Sequence, residues 1–299
     1  MRLLNLQINM VIFMNNIKVG FIGAGKVGVS LGAYFLSKGL RIGGYMSRSL
    51  QSARNAAEIT SSQLYGNMEE LVDKCGIIII TAPDGQIGEI WKELACCCSI
   101  KGKIICHTSG SLSSDIFTGI NECEASGYSI HPMYAFSNRD GRIEGLEKAY
   151  FTIEGLQHRM NDIKELFLLL GNRTIIIEPE SKSLYHLSNV LVSNLVLSLI
   201  SIGCECFENC GTDGQEAISA LMPLITGNIG NIQRQGIIDS ITGPVERNDS
   251  GTVSKHLEVL PARYERIYRD LSLRLAGLSA QKYPERDYSE LLKLLIGPV

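Results

Sequence analysis

The stretch KVGFIGAGKVG, residues 18–28, constrains the fold of this chain more than any other. A short apolar run ends at Gly23, and Gly23-Ala24-Gly25-Lys26-Val27-Gly28 is a complete G-x-G-x-x-G. Val27, Leu31, Tyr34 and Phe35 follow at helical spacing, and Gly39 can close that helix. The glycine pattern alone is weak. A strand before it and an amphipathic helix after it give it meaning. In that setting the first glycine makes a tight turn, the second lets backbone approach a pyrophosphate, and the third lets helix pack on strand. The helix N-terminus, with Lys26 and Val27 in its first turn, then faces the phosphates.

The first half keeps alternating. LRIGGYM (40–46) reads as the second strand, and GIIIITAPD (76–84) is apolar on both faces, as a central parallel strand should be. GKIICHTSG (102–110), GYSIHPM (127–133), YFTIEG (150–155) and RTIIIEP (173–179) read as further strands. Helical stretches lie near 50–58, 86–98 and 159–170. This pattern predicts an α/β fold: a Rossmann doubly wound parallel sheet. After Pro179 the strand signal stops, and long helices are expected at 180–210, 214–235, 252–272 and 286–295. The expected division is a nucleotide-binding domain over 14–178 and an all-helical domain for substrate and dimerisation over 179–299.

Composition narrows the function. Of 299 residues 45% are hydrophobic and 20% charged, which is globular. A net charge of −3 without any basic run gives no footprint for nucleic acid. None of the nine cysteines has the paired spacing of a zinc site, and no metal is expected. The cysteines fit a reducing cytoplasm, where Cys acts as a small hydrophobe. Residues 1–13 lack a small-residue cleavage site and read as an upstream start or frayed extension before Met14. The longest apolar stretch, Leu184 to Gly203, contains His186, Asn189, Asn194 and several serines. Those groups are expensive in lipid, so a buried core helix is expected there and no membrane span.

Dinucleotide-binding chains commonly place an acid after the second strand, where it bonds the ribose 2′-hydroxyl of NAD. This chain has GGYMSRSLQ (43–51) instead. Ser47, Arg48 and Ser49 offer hydroxyls, a guanidinium and the start of a helix. A guanidinium forks onto phosphate, so the corner points to NADP(H). The alternative is that Arg48 is a solvated surface charge.

With GFIGAGKVG in place, the stretches ITAPDGQIGEI, CHTSGSLSSDIF, SIHPMYAFS, KSLYHLSNVLVSN and ITGPVERND follow in an order that resembles one group of proteins. The group is Rossmann-like and NADP-binding, is classed with oxidoreductases, and carries a domain of unknown function as its C-terminal half. The resemblance covers about residues 17–270. The group is similar to pyrroline-5-carboxylate reductases, 3-hydroxyisobutyrate-type dehydrogenases and prephenate dehydrogenases. That likeness implies a helical second domain, a homodimer, and an active site between the domains.

Candidate groups sit at the C-terminal ends of the expected strands. Ala82, Pro83 and Asp84 fall beside a cofactor's ribose and nicotinamide, with His107 and Ser109 on the next strand end. His107 either bonds ribose or substrate, or is satisfied by backbone. His131 resembles the substrate-contacting His of the HPM in prephenate dehydrogenases. The YAF that follows it departs from their pattern, and buttressing of a turn is the other reading. Lys182, His186, Asn189 and Ser193 fall at i, i+4, i+7 and i+11, one polar stripe on a helix. The 3-hydroxyisobutyrate-type dehydrogenases carry a Lys and an Asn one turn apart on the corresponding helix, and His186 replaces that Asn here. Acid–base work by Lys182 or His186 is one reading, and a polar packing seam is the other. Arg247 either clamps a substrate carboxylate or is a solvated turn residue.

Two functions compete at this stage. One is an NADP(H)-dependent oxidoreductase reducing C=O or C=N in a small metabolite. The other is a non-catalytic NADP-binding sensor on the same fold.

Overall fold

The computed structural model describes residues 17–138, 140–141 and 143–297. The stretch 1–13, read above as an extension, lies outside them. The chain divides into two compact units, 1–193 and 194–299.

In the first unit eight strands form one sheet: β1 (Lys18–Ile22), β2 (Arg41–Met46), β3 (Gln63–Leu64), β4 (Ile77–Ile80), β5 (Ile104–His107), β6 (Ser126–Pro132), β7 (Tyr150–Gly155) and β8 (Arg173–Ile176). Their spatial order is β3-β2-β1-β4-β5-β6-β7-β8. The chain winds outward from β1 to β3 and then returns to β4 on the other side of β1. A crevice therefore opens beyond the carboxyl ends of β1 and β4. Ile22 and Ile80 are partners at that end of the sheet.

Helices cover both faces: α1 (Lys26–Ser37), α2 (Leu50–Ile59), α3 (Met68–Lys74), α4 (Asp84–Cys97) and α5 (Met160–Leu170). The run IIII of β4 is buried along its whole length, as a strand covered on both faces requires. One core stacks Phe21 on Tyr45 with ring centroids 5.1 Å apart, and Phe35, Phe151 and Phe167 continue it. The other core sets Trp91 edge-on to Phe117.

The sheet is not wholly parallel. β7 runs antiparallel to β6, with Ile130 opposite Ile153. Among the described residues between them lies no crossover helix, only a single 3₁₀ turn at Leu146–Lys148. A parallel return needs a crossover of a dozen or more residues, usually a helix, so the strand reverses.

α6 (Lys182–Val192) packs with the first unit. The sequence reading opened the second domain at 179, whereas the division falls after Ser193. The second unit holds α7 (Asn194–Glu208), α8 (Gly214–Ser240), α9 (Ser250–Val259), α10 (Glu265–Lys282) and α11 (Ser289–Ile296). The helix expected over 252–272 is two helices, because Leu260 stands before Pro261 and is pushed out of helical backbone. The small core of this unit comprises Val245, Val253, Ala276, Tyr288, Leu291 and Leu295.

The apolar stretch 184–203 corrects the expectation of a buried core helix. No residue of α7 is buried. Leu184 is 71% exposed and Leu197 66%. Among the described residues Pro179–Glu208 is the one helical stretch long and apolar enough to cross a membrane.

Candidate functional site

A cavity of about 1400 Å³ opens at the crevice beyond β1 and β4. Its floor is the glycine loop. Gly23 has φ +111°, and a side chain there would meet Thr81 at 2.8 Å. The Thr81 hydroxyl donates to the Gly23 carbonyl at 2.9 Å and pins the turn to β4. At Gly28 a Cβ would stand 2.5 Å from the Thr81 hydroxyl, so helix and strand approach too closely for any side chain. A Cβ on Gly25 would touch nothing within 4 Å. Gly25 lies on the wall, so a side chain there would occupy the space a pyrophosphate needs. The three glycines thus meet the three demands of the fingerprint, and the cradle fits a dinucleotide. Lys26 and Val27 line the same floor.

Ser47, Arg48 and Ser49 line one side of the cavity, joined by Ser52. Ser49 caps α2: its hydroxyl accepts the Ser52 amide at 3.3 Å and the Ser52 hydroxyl at 3.0 Å. The corner therefore presents a helix N-terminus, hydroxyls and a cation, a set suited to phosphate. Ser52 escaped sequence reasoning, although it follows from the capping of the helix.

On the other side Ala82, Pro83 and Asp84 begin α4 at the wall. The Asp84 carboxylate accepts the Ser111 hydroxyl at 2.6 Å. Loop 108–113 folds on itself: the Ser109 hydroxyl accepts the amides of Ser111 at 3.1 Å and Leu112 at 3.0 Å. His107 lies beneath this loop, fully buried and off the cavity wall. Its ring meets the Ser113 carbonyl at 3.2 Å and accepts the Ser109 amide at 3.2 Å. Burial pushes it down to about 4, so it is neutral at pH 7. Of the two readings given for His107, these contacts match the one in which backbone satisfies it.

The stripe on α6 divides. His186 reaches the cavity wall beside Gly110. Lys182 is 2% exposed, and its amine has no hydrogen-bond partner among the described residues. The amine lies 5.5 Å from the ring centroid of Tyr185. Burial lowers Lys182 to about 8, against the pull of Glu154 and Asp84. The Asn189 amide donates to the Tyr185 carbonyl at 3.0 Å, and Ser193 to the Asn189 carbonyl at 2.7 Å. Those two residues serve the helix itself.

Three residues that sequence reasoning missed complete the cluster. Tyr185 meets His131 Nδ1 with its hydroxyl at 2.6 Å. Glu154, fully buried, accepts the Ser114 amide at 2.8 Å. Gly110 lies between two imidazoles: a Cβ there would stand 2.7 Å from His186 Cδ2 and 2.9 Å from His131 Nε2. Burial, then Lys182 and His186, push His131 down to about 4. Tyr185 follows Lys182 by three residues on the helix, a spacing that could have revealed it.

The crowding at Gly110 gives a prediction. Gly110→Ala forces the rings apart and costs about 1–3 kcal/mol, as overpacking does. Urea denaturation of the two proteins measures it, and equal midpoints would refute the packing argument.

In the second unit Arg247 is exposed on the loop before α9. The Asp249 carboxylate caps that helix by accepting the Thr252 amide at 2.9 Å. Arg247 helps hold Asp249 below the usual carboxylate range, after the bonds from Thr252. Among the described residues no cluster could hold a metal ion.

Residues 6–132 match the Rossmann-like domain family, and residues 149–275 match a domain of unknown function, DUF2520. No curated protein matches the chain. Among solved structures, one is a Bacteroides fragilis protein provisionally named an NADP oxidoreductase, with 21% identity and a TM-score of 0.72. The alignment covers 88% of this chain and 99% of that one. A Thermotoga maritima protein whose name states no activity has 27% identity and a TM-score of 0.67 over 88% of this chain and 99% of its own. Plasmodium falciparum pyrroline carboxylate reductase with NADP bound has 15% identity and a TM-score of 0.60 over 90% and 97%. The likeness is one of fold.

Proposed function

We propose that this chain, which joins a Rossmann-like domain to DUF2520, is an NADP(H)-dependent oxidoreductase that reduces C=O or C=N in a small carboxylate-bearing metabolite. One observation carries the reading: the glycine loop, the acid-free Ser47-Arg48-Ser49 corner and the imidazole of His186 line one continuous cavity. The similar fold of an NADP-bound pyrroline carboxylate reductase supports it.

NADP(H), when bound, supplies the hydride. Gly23 makes the turn, Gly25 brings backbone to the pyrophosphate, and Arg48 with the hydroxyls of Ser47 and Ser49 takes the 2′-phosphate. His186 and His131 face the substrate end at Gly110. Lys182, lowered to about 8, holds a transferable proton near neutral pH. Titration by cofactor fluorescence, followed by a screen of oxo acids and cyclic imines for NADPH oxidation, tests this. Tight NADPH binding and turnover of one class are expected, and failure to bind NADPH overturns the reading.

One observation favours a second reading, the NADP-binding sensor: Lys182 is buried and does not itself line the cavity. A screen that finds tight NADPH binding and no turnover selects that reading.

The exposed leucines Leu184, Leu187 and Leu191 on α6, and Leu195 and Leu197 on α7, call for a cover. A second copy of the chain supplies it in this proposal, because His186, Asn189, Asn194 and Ser198 interrupt the apolar run and are costly in lipid. A cytoplasmic homodimer burying about 2,000 Å² or more is expected. Light scattering at micromolar concentration checks it, and a monomer refutes it.

A further inference from the structure

His131 and Tyr185 form a couple whose function nothing above assigns. The Tyr185 hydroxyl lies 2.6 Å from His131 Nδ1, and the rings meet edge to face at 80° with centroids 5.6 Å apart. His131 is anchored at the end of β6, where its carbonyl accepts the Thr152 hydroxyl at 3.4 Å. The other ring nitrogen, Nε2, faces Gly110, where a Cβ would stand 2.9 Å away. Gly110 and His186 are on the cavity wall. One nitrogen of His131 is thus tied to the α6 helix while the other faces the substrate end.

Which nitrogen carries the proton decides what that end can recognise. Burial and the neighbouring Lys182 and His186 keep the ring neutral at pH 7, so it has one N–H. The tautomer of a neutral imidazole is set by the partner of its other nitrogen. The Thr152 hydroxyl and the Asn189 amide each donate to a carbonyl, Thr152 to that of His131 and Asn189 to that of Tyr185. Of the pair at 2.6 Å the imidazole nitrogen is the stronger acceptor and the phenol the stronger donor, so the phenolic proton points to Nδ1. Burial raises Tyr185 above the ordinary phenol range, so that proton stays on.

We propose that Tyr185 is a positioning residue: by donating to His131 Nδ1 it fixes the tautomer with N–H at Nε2, and the substrate end therefore offers a hydrogen-bond donor to a carbonyl or carboxylate oxygen. The inference rests on reading the Gly110 end as the substrate side.

The test is ¹⁵N NMR of protein labelled at histidine, with His131 assigned through His131→Gln. In the wild type Nδ1 is expected without a proton and Nε2 with one. In Tyr185→Phe, which keeps the ring and removes the hydroxyl, the two tautomers exchange and the preference is lost. Nδ1–H in the wild type, or an unchanged tautomer in Tyr185→Phe, overturns the positioning role. Titrating the NADPH-loaded protein with oxamate, a non-reacting mimic of a 2-oxo acid, should shift the Nε2 proton. No shift overturns the acceptor-oxygen assignment. Absence of NADPH binding in the wild type is a separate failure, that of the cofactor reading, and leaves the tautomer result standing.

Discussion

Lys182→Met yields a protein that is more stable at pH 7 and nearly inert. The amine is buried with no hydrogen-bond partner among the described residues, and its folded-state pKa of about 8 stands below the ordinary 10.5. The sign follows from proton binding. Below pH 8 the group is charged in both states, and the folded protein bears the whole cost of burying it. Between 8 and 10.5 the unfolded chain holds a proton that the folded one has shed, so stability rises with pH. The cost at pH 7 is on the order of 3 kcal/mol, from 1.36 kcal/mol per pKa unit. Methionine has a similar length and no charge, so the variant gains up to that amount and loses the rise in stability above pH 8. Turnover on whichever substrate is found falls roughly a hundredfold to ten-thousandfold, the range for losing a general acid. Urea midpoints from pH 6 to 10.5 and steady-state rates measure both effects. A variant less stable at pH 7 would show that Lys182 is a structural partner of Glu154.

Arg48→Asp reverses the cofactor preference. The guanidinium is on the cavity wall beside the N-terminus of α2. A hydrogen bond to a charged group contributes roughly 1.5–3 kcal/mol, so NADPH affinity falls by about tenfold to a hundredfold. The new carboxylate also repels a 2′-phosphate and can accept a 2′-hydroxyl, so NADH binding holds or improves. Paired fluorescence titrations decide. Equal loss for both cofactors would show that the change damages the corner without touching phosphate recognition.

The glycine loop and the burial pattern made most of the first unit readable. The strand expected over 18–23 is Lys18–Ile22, and the helix expected over 159–170 is Met160–Leu170. Local periodicity reports the type of an element and which face is buried. It does not report strand direction, which depends on the connection. The reversal of β7 could be inferred only from what 133–149 lacks, a helix able to carry a crossover. The helix Met68–Lys74 was missed because seven residues are too few to establish a period, although Asn67 caps it. Of the candidate site, the nucleotide corner was readable because its residues are close in sequence. The cluster around Gly110 was not, because it joins the ends of β5 and β6 to one face of α6. Only packing shows that a glycine there admits two imidazoles.

The uncovered leucines of α6 and α7 have a thermodynamic consequence. The second unit's own core is small, a cluster of six buried residues with five partly buried ones packed against it, little to hold five helices firmly together. If a second copy supplies the missing apolar surface, folding and association are one equilibrium, and mass action governs both. The melting temperature then rises with protein concentration. Dilution acts as a denaturant, loosening the helical unit first while the sheet, whose two cores are complete within one chain, persists.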